Sequence, residues 1–253
     1  MKVIDLLKGT SALRVSPLII LLILWEVAAR TVERFAFFYG APSRILSNLV
    51  AKTADGSLIV DTGITATEIL VGFVLGNLVG SLLGLSFWYE PRVAYLVRPY
   101  VVVIGSIPVL ALAPIIIIWF GIGIWAKIIV VALSTVAVAT TQAFTGAENA
   151  DPKHIQLLAS YGSSRSTIFR KVVIPSSMTW LFAAYKLNVG TAILGAFIAE
   201  FIAAEAGLGN LIIRSMGLFD TSMVLTGVLV LCFLSLAITD VVGRVQRRVM
   251  PWT

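Results

Sequence analysis

Long uncharged apolar runs dominate the hydrophobic pattern of this chain. The longest extends from Pro99 to Ala126 without an Asp, Glu, Lys or Arg. A helix needs about 20 apolar residues to cross the roughly 30 Å hydrocarbon layer of a bilayer. Barrel strands would alternate apolar and polar residues over about 10 positions, whereas these runs are continuously apolar. The pattern therefore predicts an all-α membrane protein.

The runs predict six transmembrane helices within a single transmembrane domain covering residues 1–253. The predicted spans are Ser16–Ala29, Glu68–Trp88, Pro99–Trp119, Lys127–Phe144, Thr179–Phe201 and Met223–Val241. The N-terminal region resembles a signal peptide, but no small-residue cleavage site follows it cleanly. We therefore interpret it as a retained first span.

The distribution of basic residues predicts which side the termini occupy. An even number of spans puts both termini on one side of the membrane. If that side is the cytoplasm, the inner segments hold twice as many Lys and Arg as the outer segments, over nearly equal total lengths. Cytoplasmic loops are enriched in Lys and Arg. The bias predicts cytoplasmic termini.

Composition agrees with a membrane protein and argues against other classes. Hydrophobic residues make up 58% of the chain and charged residues 13%, against about 45–50% and 25% in soluble domains. The net charge of +6 is explained by loops beside an anionic lipid leaflet. No basic stripe interleaved with aromatic residues indicates a nucleic-acid partner. A single cysteine, Cys232, allows no intrachain disulfide.

Four glycines in the second predicted span indicate close helix packing. Gly72, Gly76, Gly80 and Gly84 recur at every fourth position and so form one stripe on a helix. Such a stripe lets two helix backbones approach closely. It predicts packing either within the subunit or across a dimer.

Two prolines interrupt the third predicted span. Pro108 and Pro114 lie within it, and Ser106 is nearby. A proline inside a span frees a backbone carbonyl and bends the helix. The two interpretations left open are a hinge near a gate and a static kink.

Two charged residues lie within the fifth predicted span. The separation between Lys186 and Glu200 is close to four helical turns, so they share a face with Gly190 and Phe197. A charge at the centre of a bilayer costs about 2.5–3.5 kcal/mol on insertion scales. Either this face borders a path or a dimer axis, or each charge sits near a membrane edge.

Other charges lie near the ends of the predicted spans. We interpret them as interface residues, and they are Glu26, Glu68, Lys127 and Asp240. Gly207 and Gly209, in the predicted loop before the last span, permit a tight turn and a re-entrant helix.

The connection between the fourth and fifth spans, residues 148–175, is polar and unusually long. A bare connection needs only a few residues. Asp151-Pro152 predicts an N-cap followed by proline at the first helical position. Gly162 predicts a turn, and Ser163–Phe169 a second short helix. Pro175 would close the loop before the fifth span. The sequence thus predicts a cytoplasmic two-helix segment, which is either a docking site for a partner protein or a structured loop without one.

The stretch DPKHIQLLASYGSSRSTIFRKVVIP, from Asp151 to Pro175, resembles the signature loop of the permeases of ATP-binding-cassette (ABC) importers. The signature is Glu-Ala-Ala, three residues, glycine, and a proline thirteen residues after the glycine. Gly162 and Pro175 match it in type and spacing. The opening triplet departs from it, since Gln156-Leu157-Leu158 stands there.

The resemblance extends over residues 40–253. It includes Pro42-Ser43, the stretch Ile107–Gly123 and the run Ala199–Gly209. These segments look like the branch that imports nitrate, sulfonates, taurine and pyrimidine-type vitamin precursors.

The resemblance implies a permease that forms the solute path and works by alternating access in a bacterial inner membrane. It implies four kinds of partner: a second permease copy, two cytoplasmic ATPase subunits that bind ATP and Mg, an extracytoplasmic solute-binding protein, and the lipid bilayer. The chain itself would hold no cofactor or metal and would not be an enzyme. It has no phosphate-binding Gly-x-x-x-x-Gly-Lys-Ser/Thr motif and one histidine.

The resemblance and the patterns above assign two sets of site residues. The predicted ATPase-coupling residues are Asp151, Gln156, Leu158, Tyr161, Gly162, Ser163, Arg165, Ile168, Phe169 and Pro175. The predicted path or gate residues are Ser106, Pro108, Lys186, Gly190, Phe197, Glu200, Gly207 and Gly209, with Gly207 and Gly209 alternatively a binding-protein contact.

Two other functional classes remain as alternatives. A stand-alone secondary transporter or channel would often show an internal repeat, and no convincing repeat relates residues 1–126 to 127–253. A membrane-embedded enzyme would need clustered acids, histidines or a nucleophile at membrane depth.

Overall fold

The computed structural model describes residues 11–203 and 205–251, and the secondary structure of this part of the chain consists of helices joined by short connections, without a strand. The helices are α1 (Ser11–Thr31), α2 (Glu33–Tyr39), α3 (Pro42–Ala54), α4 (Ser57–Ser86), α5 (Pro91–Ser106), α6 (Val109–Phe120), α7 (Ile124–Glu148), α8 (Pro152–Ser160), α9 (Arg165–Ile168), a π-helical turn (Phe169–Val173), α10 (Ile174–Ala203), α11 (Leu208–Gly217) and α12 (Thr221–Val249).

Four helical stretches in the described part are long and apolar enough to cross a membrane. They are α4, α7, the continuous stretch Arg165–Ala203 and α12. The first predicted span lies within α1, which has 21 residues. The prediction of an all-α, membrane-spanning protein is confirmed in this form, and the count of six spans stays a prediction.

The third predicted span consists of two helices rather than one bent helix. Helix α5 ends at Ser106, and α6 begins at Val109 with Pro108 as its N-cap, in extended backbone at φ −61° and ψ 120°. Proline fixes its own φ and disfavours helical backbone at the preceding residue, so the helix stops there. Pro114, by contrast, lies inside α6.

The core is built around α7, which packs against α4 on one side and α10 on the other. The glycine stripe of α4 forms the first of these contacts. A Cβ atom at Gly72 would lie 2.8 Å from the Ile128 carbonyl oxygen, and one at Gly80 would lie 2.5 Å from that of Val136. The glycines allow this backbone contact, and their partner is therefore α7 of the same chain.

Buried polar side chains join the three central helices midway along their length. The Asn188 amide on α10 donates to Asn77 Oδ1 on α4 at 2.7 Å and to the Thr135 carbonyl on α7 at 3.0 Å. The Ser81 and Tyr185 hydroxyls are 2.9 Å apart. Hydrogen bonds of this kind hold helices together where lipid gives no hydrophobic drive.

The 148–175 segment joins α10 without a loop at its end. The predicted N-cap is confirmed, since Asp151 Oδ1 accepts from the Lys153 amide at 2.8 Å. The second predicted helix does not stop at Phe169, because π-helical residues carry it into α10 as one stretch of 39 residues, Arg165–Ala203. Pro175 lies inside this continuous helical stretch, so the prediction that it closes a loop before the fifth span was wrong. The wider π turn lies directly before the proline, which lacks the N–H that a regular ladder requires.

Candidate functional site

The first candidate region surrounds Glu200, near the end of α10 that lies away from the 148–175 segment. Here α11 begins against α4 and α10. The Gly207 amide donates to Asp61 Oδ1 at 2.8 Å and the Leu208 amide to Thr65 Oγ1 at 2.9 Å. The Gly209 amide donates to Glu200 Oε2. The unpaired amides at the start of α11 thus find acceptors on two long helices, where a short helix would otherwise leave them unsatisfied.

The two glycines of this region make room for the Glu200 carboxylate. Gly207 has φ 122°, and a side chain there would collide with that carboxylate. A Cβ atom at Gly209 would lie 2.8 Å from Glu200 Oε2. Thr65 donates its hydroxyl proton to Glu200 Oε1 at 2.6 Å. Within the run from Ala199 to Gly209, the backbone of Gly207 and Gly209 therefore encloses the Glu200 carboxylate.

A buried ion pair completes the region. Glu68 on α4 pairs with Lys127 at the start of α7. Glu68 is 0% exposed, Lys127 7% and Glu200 1%. The Glu68 carboxylate and the Lys127 ammonium group also interact electrostatically with Glu200, so two carboxylates and one ammonium group lie together out of solvent. We call Asp61, Thr65, Glu68, Lys127 and Glu200 the Glu200 cluster.

The sequence-based interpretation of Glu68 and Lys127 as interface residues was wrong. Both are buried because α4 and α7 bring them together from distant positions in the sequence. The missed signal was the spacing of Asp61, Thr65 and Glu68, at steps of four and three positions, which places three polar groups on one face of α4.

The shared face predicted for Lys186 and Glu200 has two different environments. Lys186 and Gly190 are exposed, whereas Glu200 is buried. Phe197 is half-buried in the cluster of apolar side chains that includes Leu208. The face is shared along α10, but α11 covers its last turns. Leu187 and Leu194 on α10 are exposed as well, so the face of α10 that carries Lys186 and Gly190 is not covered by the described chain, although Asn188 on the opposite side is buried.

The remaining predicted path residues, Ser106 and Pro108, are exposed at the break between α5 and α6. Ser106 donates its hydroxyl proton to the Val102 carbonyl at 2.8 Å, inside its own helix. The structure does not bring these two residues into contact with the Glu200 cluster. Among the described residues, no group of three His, Cys, Asp or Glu side chains is arranged to hold a metal ion.

The second candidate region is the 148–175 segment at the other end of α10. Its inner side is anchored: Ile168 and Val173 are buried, and the Phe169 ring lies 5.6 Å from Trp88 and 4.6 Å from Tyr89. Arg165 donates to the Trp88 carbonyl at 3.0 Å.

The outer side of the segment is open. Among the predicted coupling residues on α8 and the following turn, Gln156 is exposed, Leu158 is half-buried and Tyr161 is 78% exposed. Leu157 is 52% exposed. An apolar side chain and an aromatic ring held outward on a short helix form a surface suited to a protein partner.

Gly162 forms the turn between α8 and α9. Its φ is 72°, and within the described chain no atom would lie within 4 Å of an added Cβ. Glycine is needed here for its backbone conformation, which other residues adopt only at a cost. The space around the turn is open, so the structure leaves room for another molecule to approach.

Comparison with known proteins identifies the class. The model of the binding-protein-dependent transport system inner membrane component family matches residues 76–253. This is well over half of the chain. The chain therefore belongs to this family, the membrane-spanning permease subunits of ABC importers.

Curated relatives resemble the chain over almost its whole length. The formylaminopyrimidine transport permease of Halalkalibacterium halodurans is 29% identical, covering 92% of this chain and 93% of the relative. The taurine transport permease of Escherichia coli is 25% identical, covering 95% of this chain and 89% of the relative. The riboflavin transport permease of Chloroflexus aurantiacus is 27% identical over 93% and 88%.

Solved structures share the fold. An inward-facing structure of the MetNI methionine ABC transporter superposes with a TM-score of 0.66 at 20% identity, covering 78% of this chain and 98% of that chain. The crystal structure of an amino acid ABC transporter with histidines superposes with a TM-score of 0.63 at 17% identity, covering 79% of this chain and 97% of that chain.

Proposed function

We propose that this permease couples its solute path to two separate cytoplasmic ATPase subunits through the 148–175 segment. The observation that carries the proposal is the form of that segment: two short helices, anchored on their inner side and open on their outer side. ATP and Mg belong to the ATPase subunits, and this chain performs no hydrolysis.

The continuity of Arg165–Ala203 suggests how movement is transmitted. One helical stretch of 39 residues joins the segment to the Glu200 cluster. Such a stretch is about 58 Å long at 1.5 Å per residue. When ATP draws the ATPase subunits together, a push on the segment tilts this helix as a unit. The permease then changes from inward-facing to outward-facing.

The unpartnered face of α10 supports a paired permease. Lys186 at membrane depth is costly against lipid, and Gly190 beside it leaves room for close approach. We propose that this face borders the path between two copies of the chain, with Ser106 and Pro108 at the gate. The carboxylates of Glu68 and Glu200 are buried within the single chain, so the proposed role of the Glu200 cluster is to hold α11 in place.

The solute class is proposed from the relatives. Their names give a formylaminopyrimidine, taurine and riboflavin as transported molecules. We propose a small organic or inorganic anion or a vitamin precursor, delivered by an extracytoplasmic binding protein.

Six spans with cytoplasmic termini in a bacterial inner membrane complete the proposal, and labelling tests this topology. In a Cys232→Ser background, a cysteine replacing Gly217 is expected to react with an impermeant maleimide added from outside. One replacing Ser164 is expected to react only after the membrane is opened. The reverse pattern would overturn the orientation.

Substitution of Gly162 tests the coupling. Gly162→Arg places a bulky charge in the open space around the turn, and Gly162→Ala carries the same backbone strain without that bulk. We expect the arginine variant to insert normally but to lose ATPase co-purification or solute-stimulated ATP turnover, and the alanine variant to keep most of both. If a well-inserted arginine variant retains wild-type ATPase co-purification and wild-type ATP turnover, the turn is not part of the contact with the ATPase.

The alternative, a stand-alone secondary transporter or channel, is tested in the same vesicles. The importer hypothesis predicts no solute uptake by the purified permease without its ATPase. Uptake in that preparation would favour the alternative.

A further inference from the structure

A cleft of about 760 Å³ lies between the end of α4, α5 and the end of α7, beside the 148–175 segment. Its walls are mainly apolar, with Phe87, Ala94, Pro99 and Phe144 among them. It continues between α5 and α7 as a narrower cavity of about 100 Å³ that shares Phe87 and Phe144 and adds Val101 and Val102. The cleft is therefore an apolar channel that runs along a helix pair.

Two arginines stand at the rim of this cleft. The Arg98 guanidinium lies 5.4 Å from the Phe144 ring centroid, and the Arg165 guanidinium 5.2 Å from that of Trp88. Among the described residues that line the cleft, Glu148 supplies the one carboxylate, 3.9 Å from Arg98. Both partners of that pair are largely exposed, so the ion pair is weak. The rim carries a net positive charge above an apolar wall.

The cleft lies at a membrane boundary. The apolar helix α4 ends at Ser86, and the aromatic residues Phe87, Trp88 and Tyr89 follow it. Tyr95, on the first turns of α5, is 82% exposed. Trp and Tyr concentrate at the level of the lipid headgroups. The arginines are therefore at headgroup level, and the narrow cavity leads along α5 toward the hydrocarbon.

We propose that this cleft binds one anionic phospholipid, with its phosphate between Arg98 and Arg165 and the first part of an acyl chain along Phe87 and Phe144. The positive rim matches the phosphate, and basic pockets between transmembrane helices are known to hold anionic headgroups. The apolar wall favours a lipid over free phosphate, which would leave that wall against water. The proposal does not depend on the transport direction or on the ATPase.

The test measures lipid retained by the full-length chain in vesicles of phosphatidylglycerol and phosphatidylcholine in equal parts. The chain is extracted in mild detergent, and bound lipid is counted by native mass spectrometry. Arg98→Gln removes one rim charge, and Arg92→Gln removes a charge from the same helix outside the cleft. We expect the first to lower phosphatidylglycerol retention about five-fold, from roughly 1 kcal/mol per basic residue, and the second to leave it near wild type.

Ala94→Phe fills the cleft without changing its charge, and we expect it to displace phosphatidylglycerol as well. Equal losses from Arg98→Gln and Arg92→Gln would overturn the proposal, because they would indicate general surface attraction. Displacement of the lipid by excess inorganic phosphate alone would also overturn it, in favour of a simple anion site. So would unchanged lipid retention in Arg98→Gln combined with lost ATPase co-purification, which would make the cleft a protein-docking surface.

Discussion

The Glu200 cluster and the 148–175 segment lie toward opposite ends of α10 and differ in whether their polar groups are buried or exposed. In the cluster, the charged groups of Glu68, Lys127 and Glu200 are buried, and their partners lie on α4, α7 and α11 of the same chain. In the segment, Gln156 and Tyr161 are exposed, and the turn at Gly162 faces open space.

The difference separates self-contained structure from a surface suited to a partner. A buried charge must be compensated within the fold, because an uncompensated one costs several kcal/mol. Exposed side chains on a short helix contribute little to the stability of the chain that carries them. Substitutions in the cluster should therefore change stability first, and substitutions in the segment should change assembly first.

The largest effect is expected for Lys127→Met, which leaves two buried carboxylates without their ammonium partner. The free energy of unfolding is expected to fall by about 3–5 kcal/mol. Detergent-denaturation titration of the purified chain, followed by circular dichroism, measures it.

Lys186→Met is the matched control for this substitution, because Lys186 is exposed on α10. It is expected to change stability by less than about 0.5 kcal/mol. The double variant Glu68→Met/Lys127→Met should recover part of the loss. Equal effects of the two lysine variants would show that burial does not distinguish the cluster.

A smaller effect is expected for Gly209→Ala. The added methyl group would lie 2.8 Å from Glu200 Oε2, so either the carboxylate or α11 must shift. Overpacking of this kind costs about 1–3 kcal/mol. Gly217→Ala, on the same helix with no described atom within 4 Å of the new group, should stay within about 0.5 kcal/mol of wild type. If the same titration gives equal values for both variants, Glu200 is not confined by the glycine.

The smallest effect on stability is expected for Tyr161→Ala, because the ring is 78% exposed. The free energy of unfolding should change by less than about 0.5 kcal/mol, while ATPase co-purification falls about ten-fold, as for a central aromatic contact at an interface. Tyr100→Ala removes a similarly exposed ring from α5 and should leave co-purification unchanged. Loss of stability in Tyr161→Ala with normal co-purification would show that the segment stabilises the permease itself and does not form the ATPase contact.

Much of the fold was predictable because its signals are local. The apolar runs marked the positions of α4, α7, α10 and α12, and Asp151-Pro152 marked the start of α8. The break at Pro108 was only partly predictable. The sequence contained the proline, but Pro99 and Pro114 lie inside helices, so the presence of a proline does not by itself determine where a helix stops.

The two candidate sites also differed in how far they could be predicted from the sequence. The 148–175 segment was recognisable from Gly162 and Pro175, since its spacing lies within one continuous stretch. The Glu200 cluster was not, because Asp61, Thr65 and Lys127 come from positions far from Glu200 and meet only when four helices pack.

By itself, the sequence determined that the chain crosses a membrane as helices, where polar backbone must be satisfied within each segment. It also determined the glycine stripe and the turn at Gly162, because both follow from residue type and spacing along one helix or turn. Only the tertiary structure decided which helix the stripe contacts. It also decided that Pro175 lies within a continuous helix, and that Glu68, Lys127 and Glu200 share one buried site. These outcomes depend on distances between residues far apart in the chain, which periodicity along a single helix does not encode.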